Sequence, residues 1–131
     1  MTQVRFSNTA VPLPQECGGE ELRLVVSGHA GYGEKGRDIV CAAESILVQA
    51  LACDLAAMSP ELLYDCTVEG VAGSGCVGIT ALPRAAGLER VRGAFSCAMT
   101  GFALLQAHYP AYVQVLLERP ENTAGKERKD A

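Results

Sequence analysis

None of the six cysteines stands in a Cys-x-x-Cys pair, and the only two histidines, His29 and His108, lie far apart without ligand spacing to any cysteine pair. A structural zinc site has no pattern to rest on, and neither a metal nor a cofactor is expected. Charge-free apolar runs of about 18 residues are missing as well, because Glu44 and Asp54 interrupt the longest one. Residues 1–8 lack the basic-then-apolar layout of a secretory signal, so a cytoplasmic protein without membrane contact is expected. There is no excess of positive charge: the formal net charge is -4 and the pI is near 5.1, the wrong sign for a sequence-independent phosphate binder, so direct nucleic-acid binding is not expected. Cysteine is also too scarce for a disulfide scaffold, which needs at least about 8%. In a reducing compartment most of the thiols should pack as small hydrophobes. On that reading Cys53, Cys66, Cys76 and Cys97 belong to the core, and Cys17 is an exposed loop residue. What the chain does have is 49% hydrophobic and 20% charged residues in a length of 131, the profile of one globular domain with a sizeable core.

The periodicities give a β-β-α-β-β-α-β order. Val4 and Phe6 alternate with polar neighbours as a first strand, and Leu22, Leu24 and Val26 form a second after a long connection containing Pro12, Pro14, Gly18 and Gly19. A glycine-rich segment from Gly28 to Gly36 is predicted to be a mobile loop. From Asp38 the chain reads as a helix of about twenty residues, closed by Ser59 and Pro60 and apolar nearly all round. Such a helix needs cover on more than one side, which points to a second layer or a subunit partner, and a homodimer is expected. Leu63–Glu69 and Cys76–Leu82 make a second hairpin, Leu88 to His108 an amphipathic helix, and Tyr112–Leu117 a last strand. The expected fold is α+β, a largely antiparallel sheet packed with two main helices in a single domain over residues 1–118. Residues 119–131, with no apolar side chain larger than alanine from Glu121 onward, form a polar tail expected to be disordered.

Gly31, Gly33 and Gly36 spell G-x-G-x-x-G between a strand and a helix, but Asp38 occupies the helix start where a pyrophosphate would sit, and a carboxylate repels phosphate. Dinucleotide binding is therefore rejected. Asp38 reads instead as an N-cap, which puts Cys41 in the first helical turn, where the partial positive charge of the helix favours a thiolate and the nearby carboxylate opposes it. Asp38, Cys41 and Ser45 fall within an arc of about 60° on one helix face. The loop is flexible enough to fold His29 over the helix start, where its imidazole can take the thiol proton and, once charged, stabilise the thiolate. Asp38 can then orient that imidazolium. The plainer reading of the same residues, a loop histidine and a buried helix cysteine, stays open at this point. Glu44, within the first two turns, reads as a carboxylate that complements the helix dipole.

The segment Gly28-His29-Ala30-Gly31-Tyr32-Gly33-Glu34-Lys35-Gly36-Arg37-Asp38-Ile39-Val40-Cys41-Ala42-Ala43-Glu44-Ser45 resembles the signature of the ribosomal-processing cysteine protease family, Prp, which joins Gly-His-Ala to Asp-Ile-Val-Cys-Ala through a glycine-bearing loop. The element order and the ending Tyr109-Pro110-Ala111-Tyr112-Val113 are similar to the family too. The resemblance implies a cytoplasmic bacterial endopeptidase that removes a short N-terminal extension from a large-subunit ribosomal protein. It makes Cys41 the nucleophile and His29 the general base, with Asp38, Ser45 and Gly28 at positions that support the site, in a homodimer with a mobile loop over it. The family substrate also implies an apolar groove beside Cys41, and backbone N–H groups at the helix start are the expected oxyanion donors. Two departures stand out: the connection from Asn8 to Glu21 is longer than usual, and the tail is additional. The alternative is a non-catalytic ribosome-assembly protein of the same fold. A thiol redox protein is the third reading. It lacks a resolving partner in Cys53, about 18 Å down the helix from Cys41.

Overall fold

The structure is a computed structural model, and it describes residues 1–11, 17–34, 36–71 and 74–118. The expected polar tail 119–131 lies outside the described residues, as does the proline-bearing middle of the first connection. The elements follow in the order β1 (Thr2–Ala10), β2 (Glu20–Ser27), α1 (Ile39–Ala56), β3 (Leu63–Gly70), β4 (Cys76–Pro83), a short 3-10 turn (Ala85–Gly87), α2 (Leu88–His108) and β5 (Val113–Glu118). They build one five-stranded sheet in the order β3-β4-β2-β1-β5. All neighbours are antiparallel except β1 and β5, which run parallel. The α+β architecture with a mainly antiparallel sheet and two helices thus agrees with the sequence reading. The parallel β5 is the one pairing that period-two alternation cannot reveal, because alternation fixes a face and not a direction.

One face of the sheet is the core. Val4 opposes Val26 and Val115, Leu24 opposes Ile79, and Leu22 opposes Ala81, so residues of matching parity stack across four strands. Both helices cover that face. α2 contributes Val91, Phe95 and Phe102, each 0% exposed, and the Phe95 ring meets Phe6 at 5.7 Å between centroids. Burying each such side chain stabilises the fold by about 1.5–3 kcal/mol. α1 contributes Val40, Val48, Leu51 and Leu55, at steps of three and four along one stripe, and Glu44 lies in the same stripe. Its outer side leaves Ile39 and Ile46 57% and 61% exposed. The opposite face of the sheet carries Arg5, Ser7 and Arg23, with Arg5 3.7 Å from Glu118.

This topology brings three chain ends to one spot. β2 is central and ends at Ser27, whose neighbour on β4 is Cys76, the first residue of that strand. Gly28 donates its N–H to the Gly75 carbonyl at 2.7 Å, so the chain leaves β2 beside the start of β4. Gly28 has φ 86°, and a Cβ on it would lie 2.6 Å from the Met1 carbonyl oxygen, so only glycine fits there.

Candidate active site

Asp38 starts α1 in an extended conformation (φ -85°, ψ 106°). Its Oδ1 accepts the Val40 and Cys41 N–H groups at 2.9 and 3.0 Å, and its Oδ2 accepts those of Tyr32 and Gly33 at 2.9 and 3.1 Å. One carboxylate therefore caps the helix and ties the glycine-rich loop to it. Burial opposes its ionisation, but the four backbone donors outweigh burial and hold its carboxyl below the usual range. The loop has a second anchor. The Tyr32 ring packs edge-on against Tyr109 and Tyr112, with centroids 5.3 and 5.2 Å apart, and the Tyr112 carbonyl accepts the Thr2 N–H at 2.9 Å. A segment predicted only as a mobile loop is fastened at its middle, and the partners that fasten it come from far along the chain.

The loop brings Cys41 and His29 to the same two spaces. Both line an open groove of about 550 Å³ together with Gly31, Gly33, Gly36, Asp38, Ala42 and Ser45. Both also line a smaller cavity of about 30 Å³, shared with Glu44, Ser45, Gly75 and Cys76 among others. His29 is exposed, Cys41 is half-buried, and the glycine at 75, with φ 105°, places a would-be Cβ 3.3 Å from the imidazole Nε2. Burial pushes the Cys41 thiol up, and the charges of Asp38 and Glu44 push it the same way. A backbone hydrogen bond from Ala30 pulls it down without prevailing. Burial and these charges favour the thiol over the thiolate, so ionisation of Cys41 calls for a base beside it.

Of the five residues proposed from sequence, His29, Asp38, Cys41 and Ser45 line the groove, and Gly28 lines the smaller cavity at the turn that precedes the histidine. Other expectations are corrected. The N–H groups of Val40, Cys41 and Ala42 are taken by Asp38, two by its side chain and one by its carbonyl, so they are not free to serve as oxyanion donors. The N–H aimed at the sulfur is that of Ala30. The surface of the groove is mainly apolar, in line with the groove expected beside Cys41, and His29, Asp38 and Ser45 are its polar members. Among the cysteines, Cys17 is buried at 7% exposure, while Cys53, Cys76 and Cys97 are exposed and Cys66 is half-buried. Strand and helix membership had suggested burial, but these exposed thiols sit on the outward side of α1 and α2 and at the free end of β4. Glu44, read from sequence as a carboxylate that complements the helix dipole, is buried at 6% exposure. The signal for it was available, because it falls at i+4 from Val40 and i-4 from Val48.

The sequence matches the family described as cysteine protease Prp over residues 10–114, and the chain belongs to that family of cysteine proteases. Among solved structures, it is similar to SMU.848 from Streptococcus mutans, with a TM-score of 0.62 and 23% identity over 91% of this chain and 95% of that one. It is also similar to the essential ribosomal processing protease Prp from S. aureus, solved in complex with a covalently linked product peptide, with a TM-score of 0.61 and 14% identity over 88% of this chain and 99% of that one. The same S. aureus protease with a substrate peptide gives a TM-score of 0.56. At these identities the structures establish the shared fold. No curated protein matches the chain.

Proposed function

We propose that this protein is an endopeptidase that removes a short N-terminal extension from a large-subunit ribosomal protein, with Cys41 as nucleophile and His29 as base. The observation that carries the reading is the convergence of both side chains on one open groove large enough for several residues of extended peptide. Glycines along its wall expose backbone donors and acceptors that a peptide can pair with. In the reaction, the Cys41 thiol gives its proton to the His29 imidazole as the sulfur attacks the peptide carbonyl carbon, and the oxygen becomes an oxyanion facing the Ala30 N–H. When the C–N bond breaks, the imidazolium returns the proton to the leaving amine and a thioester remains on Cys41. Water, deprotonated by the same imidazole, then attacks the thioester and releases the new carboxylate and the thiol. Membership of the protease family and the fold shared with a protease seen bound to peptides support this assignment. The exposed Ile39 and Ile46 on α1 support a homodimer, and the cytoplasm is the compartment in which such a substrate is made.

The test is direct. The protein is incubated with the ribosomal protein of its own organism and the product is weighed by mass spectrometry. A mass lower by an N-terminal peptide, absent with Cys41→Ser and with His29→Ala at unchanged Tm, is the expected result. Binding without a change in mass would replace this reading with that of a non-catalytic assembly protein.

A further inference from the structure

Glu44 is a carboxyl group in the wrong place for a surface role. It is 6% exposed, inside the stripe Val40, Val48, Leu51 and Leu55 that faces the sheet. Its Oε1 accepts the hydroxyl of Thr2, itself 1% exposed, at 2.9 Å. Its Oε2 is buried and has no hydrogen-bond partner among the described residues. Burying such an oxygen unpaired is costly, and a methylated side chain would fill the stripe at no such cost. Glu44 also lines the cavity of about 30 Å³ that His29 and Cys41 share, a space too small for any substrate side chain. Its carboxyl therefore belongs to a cavity shared with the catalytic pair, while Glu44 is absent from the lining of the substrate groove.

We propose that Glu44 is a positioning residue of this site, a buried carboxyl group one helical turn from Cys41 that sets the pH at which the nucleophile becomes reactive. It thereby moves the working range of the pair to higher pH. The groups that face it come from every adjoining element. Asp38 and Cys41 belong to its own helix, Thr2 and the Met1 amine to β1, His29 to the end of β2, and Cys76 to β4. Burial raises the Glu44 carboxyl above its ordinary range. The Thr2 hydroxyl opposes that rise, the Asp38 charge adds to it, and the Met1 amine opposes it. Both the Glu44 carboxyl and the Cys41 thiol are thus pushed up from their ordinary ranges, the thiol in part by the Glu44 charge, so the two ionisations are coupled.

The inference rests on Cys41 being the nucleophile, and its test uses no peptide substrate. The rate of Cys41 carboxamidomethylation is followed from pH 5 to 10 by peptide mass spectrometry in the parent, Glu44→Gln and Glu44→Leu. The glutamine keeps an acceptor for Thr2, and the leucine completes the apolar stripe, so at least one variant retains the fold. The expected result is that the midpoint of Cys41 labelling falls by about half to one pH unit in the folded variants, the shift one nearby carboxylate imposes. Folded variants whose Cys41 titrates at the parental pH would overturn the inference, because a purely structural Glu44 changes Tm and leaves the midpoint in place. Failure of the ribosomal protein to be cleaved would overturn the protease reading alone, since the labelling midpoint does not depend on it.

Discussion

Replacing Asp38 by asparagine separates two roles that the sequence leaves entangled. If this carboxylate orients a charged His29, the neutral amide should leave the fold intact and slow the chemistry, because asparagine caps a helix about as well as aspartate. The structure predicts the reverse order of events. Both oxygens accept backbone N–H groups, Oδ1 from α1 and Oδ2 from the loop. An asparagine has one carbonyl oxygen, so whichever pair it satisfies, its NH₂ group faces the other two donors. Two charge-assisted hydrogen bonds are lost outright and the other two become neutral. With a charged-group hydrogen bond contributing about 1.5–3 kcal/mol and partial relief of the orphaned loop donors by water, the net loss is about 2–4 kcal/mol. Spread over an unfolding entropy of about 2.1 cal/mol/K per residue, that is a fall in Tm of roughly 7–15 °C. Thermal unfolding at pH 7, followed by near-UV circular dichroism, measures it. A variant that melts like the parent but cleaves poorly would falsify the clamp argument and restore the orienting role. The same carboxylate fixes a sign for pH. Its folded value lies below its unfolded one, so its contribution is complete above the ordinary aspartate range near 3.8 and disappears as pH falls through the lower, folded value. Parent stability should therefore drop in acid, and Asp38→Asn should lack that part of the acid dependence.

Three further outcomes follow from the same geometry. Gly28→Ala places a Cβ 2.6 Å from the Met1 carbonyl at a positive φ, so it should lower stability by about 1–3 kcal/mol and reduce cleavage by displacing His29, read from Tm and kcat/KM together. Under limiting iodoacetamide in the native state, buried Cys17 should stay unlabelled until the protein unfolds, while exposed Cys53, Cys76 and Cys97 serve as unactivated comparators for Cys41. Early labelling of Cys17 would contradict its burial. Ile46→Glu puts a charge on the exposed side of α1 and should convert the proposed homodimer to a monomer in sedimentation velocity, whereas an unchanged sedimentation coefficient would refute a dimer contact at Ile46.

The elements that sequence reading recovered are those whose own residues carry the signal. α2 is legible because Val91, Phe95, Ala98 and Phe102 repeat at three and four residues, and all four are buried. The start of α1 is legible because an aspartate at the cap has a local job. Asp38 does that job, but its second oxygen serves Tyr32 and Gly33, an assignment that exists only after the loop has folded back. The Tyr32 anchor is hidden for the same reason, since its partners Tyr109 and Tyr112 arrive from the far end of the chain. Cysteine burial failed in both directions because strand or helix membership says nothing about which side faces the core: Cys76 is at the open end of β4, and Cys17 is buried although it lies in a connection.

Glu44 is the most instructive case, because the local reading and the packing reading of one residue disagree. A carboxylate in the second turn suits the helix dipole, but the i±4 stripe through Val40 and Val48 demands an apolar side chain there. Such a conflict between levels marks a position where stability has been given up for something else. Here the carboxyl accepts the Thr2 hydroxyl and lines a cavity shared with Cys41. A helix wheel drawn for burial, and not for the stripe of Asp38, Cys41 and Ser45, would have found it. Cys41 and this carboxyl are three residues apart, so a single helix turn carries both the sulfur that lines the groove and the acid that lines the adjoining cavity. Any change that rotates the first turn of α1, loss of the Asp38 cap included, must move both groups together. Activity and the Cys41 titration should consequently fail in step in Asp38→Ala, whereas in Glu44→Gln the titration moves while the helix stays where it is.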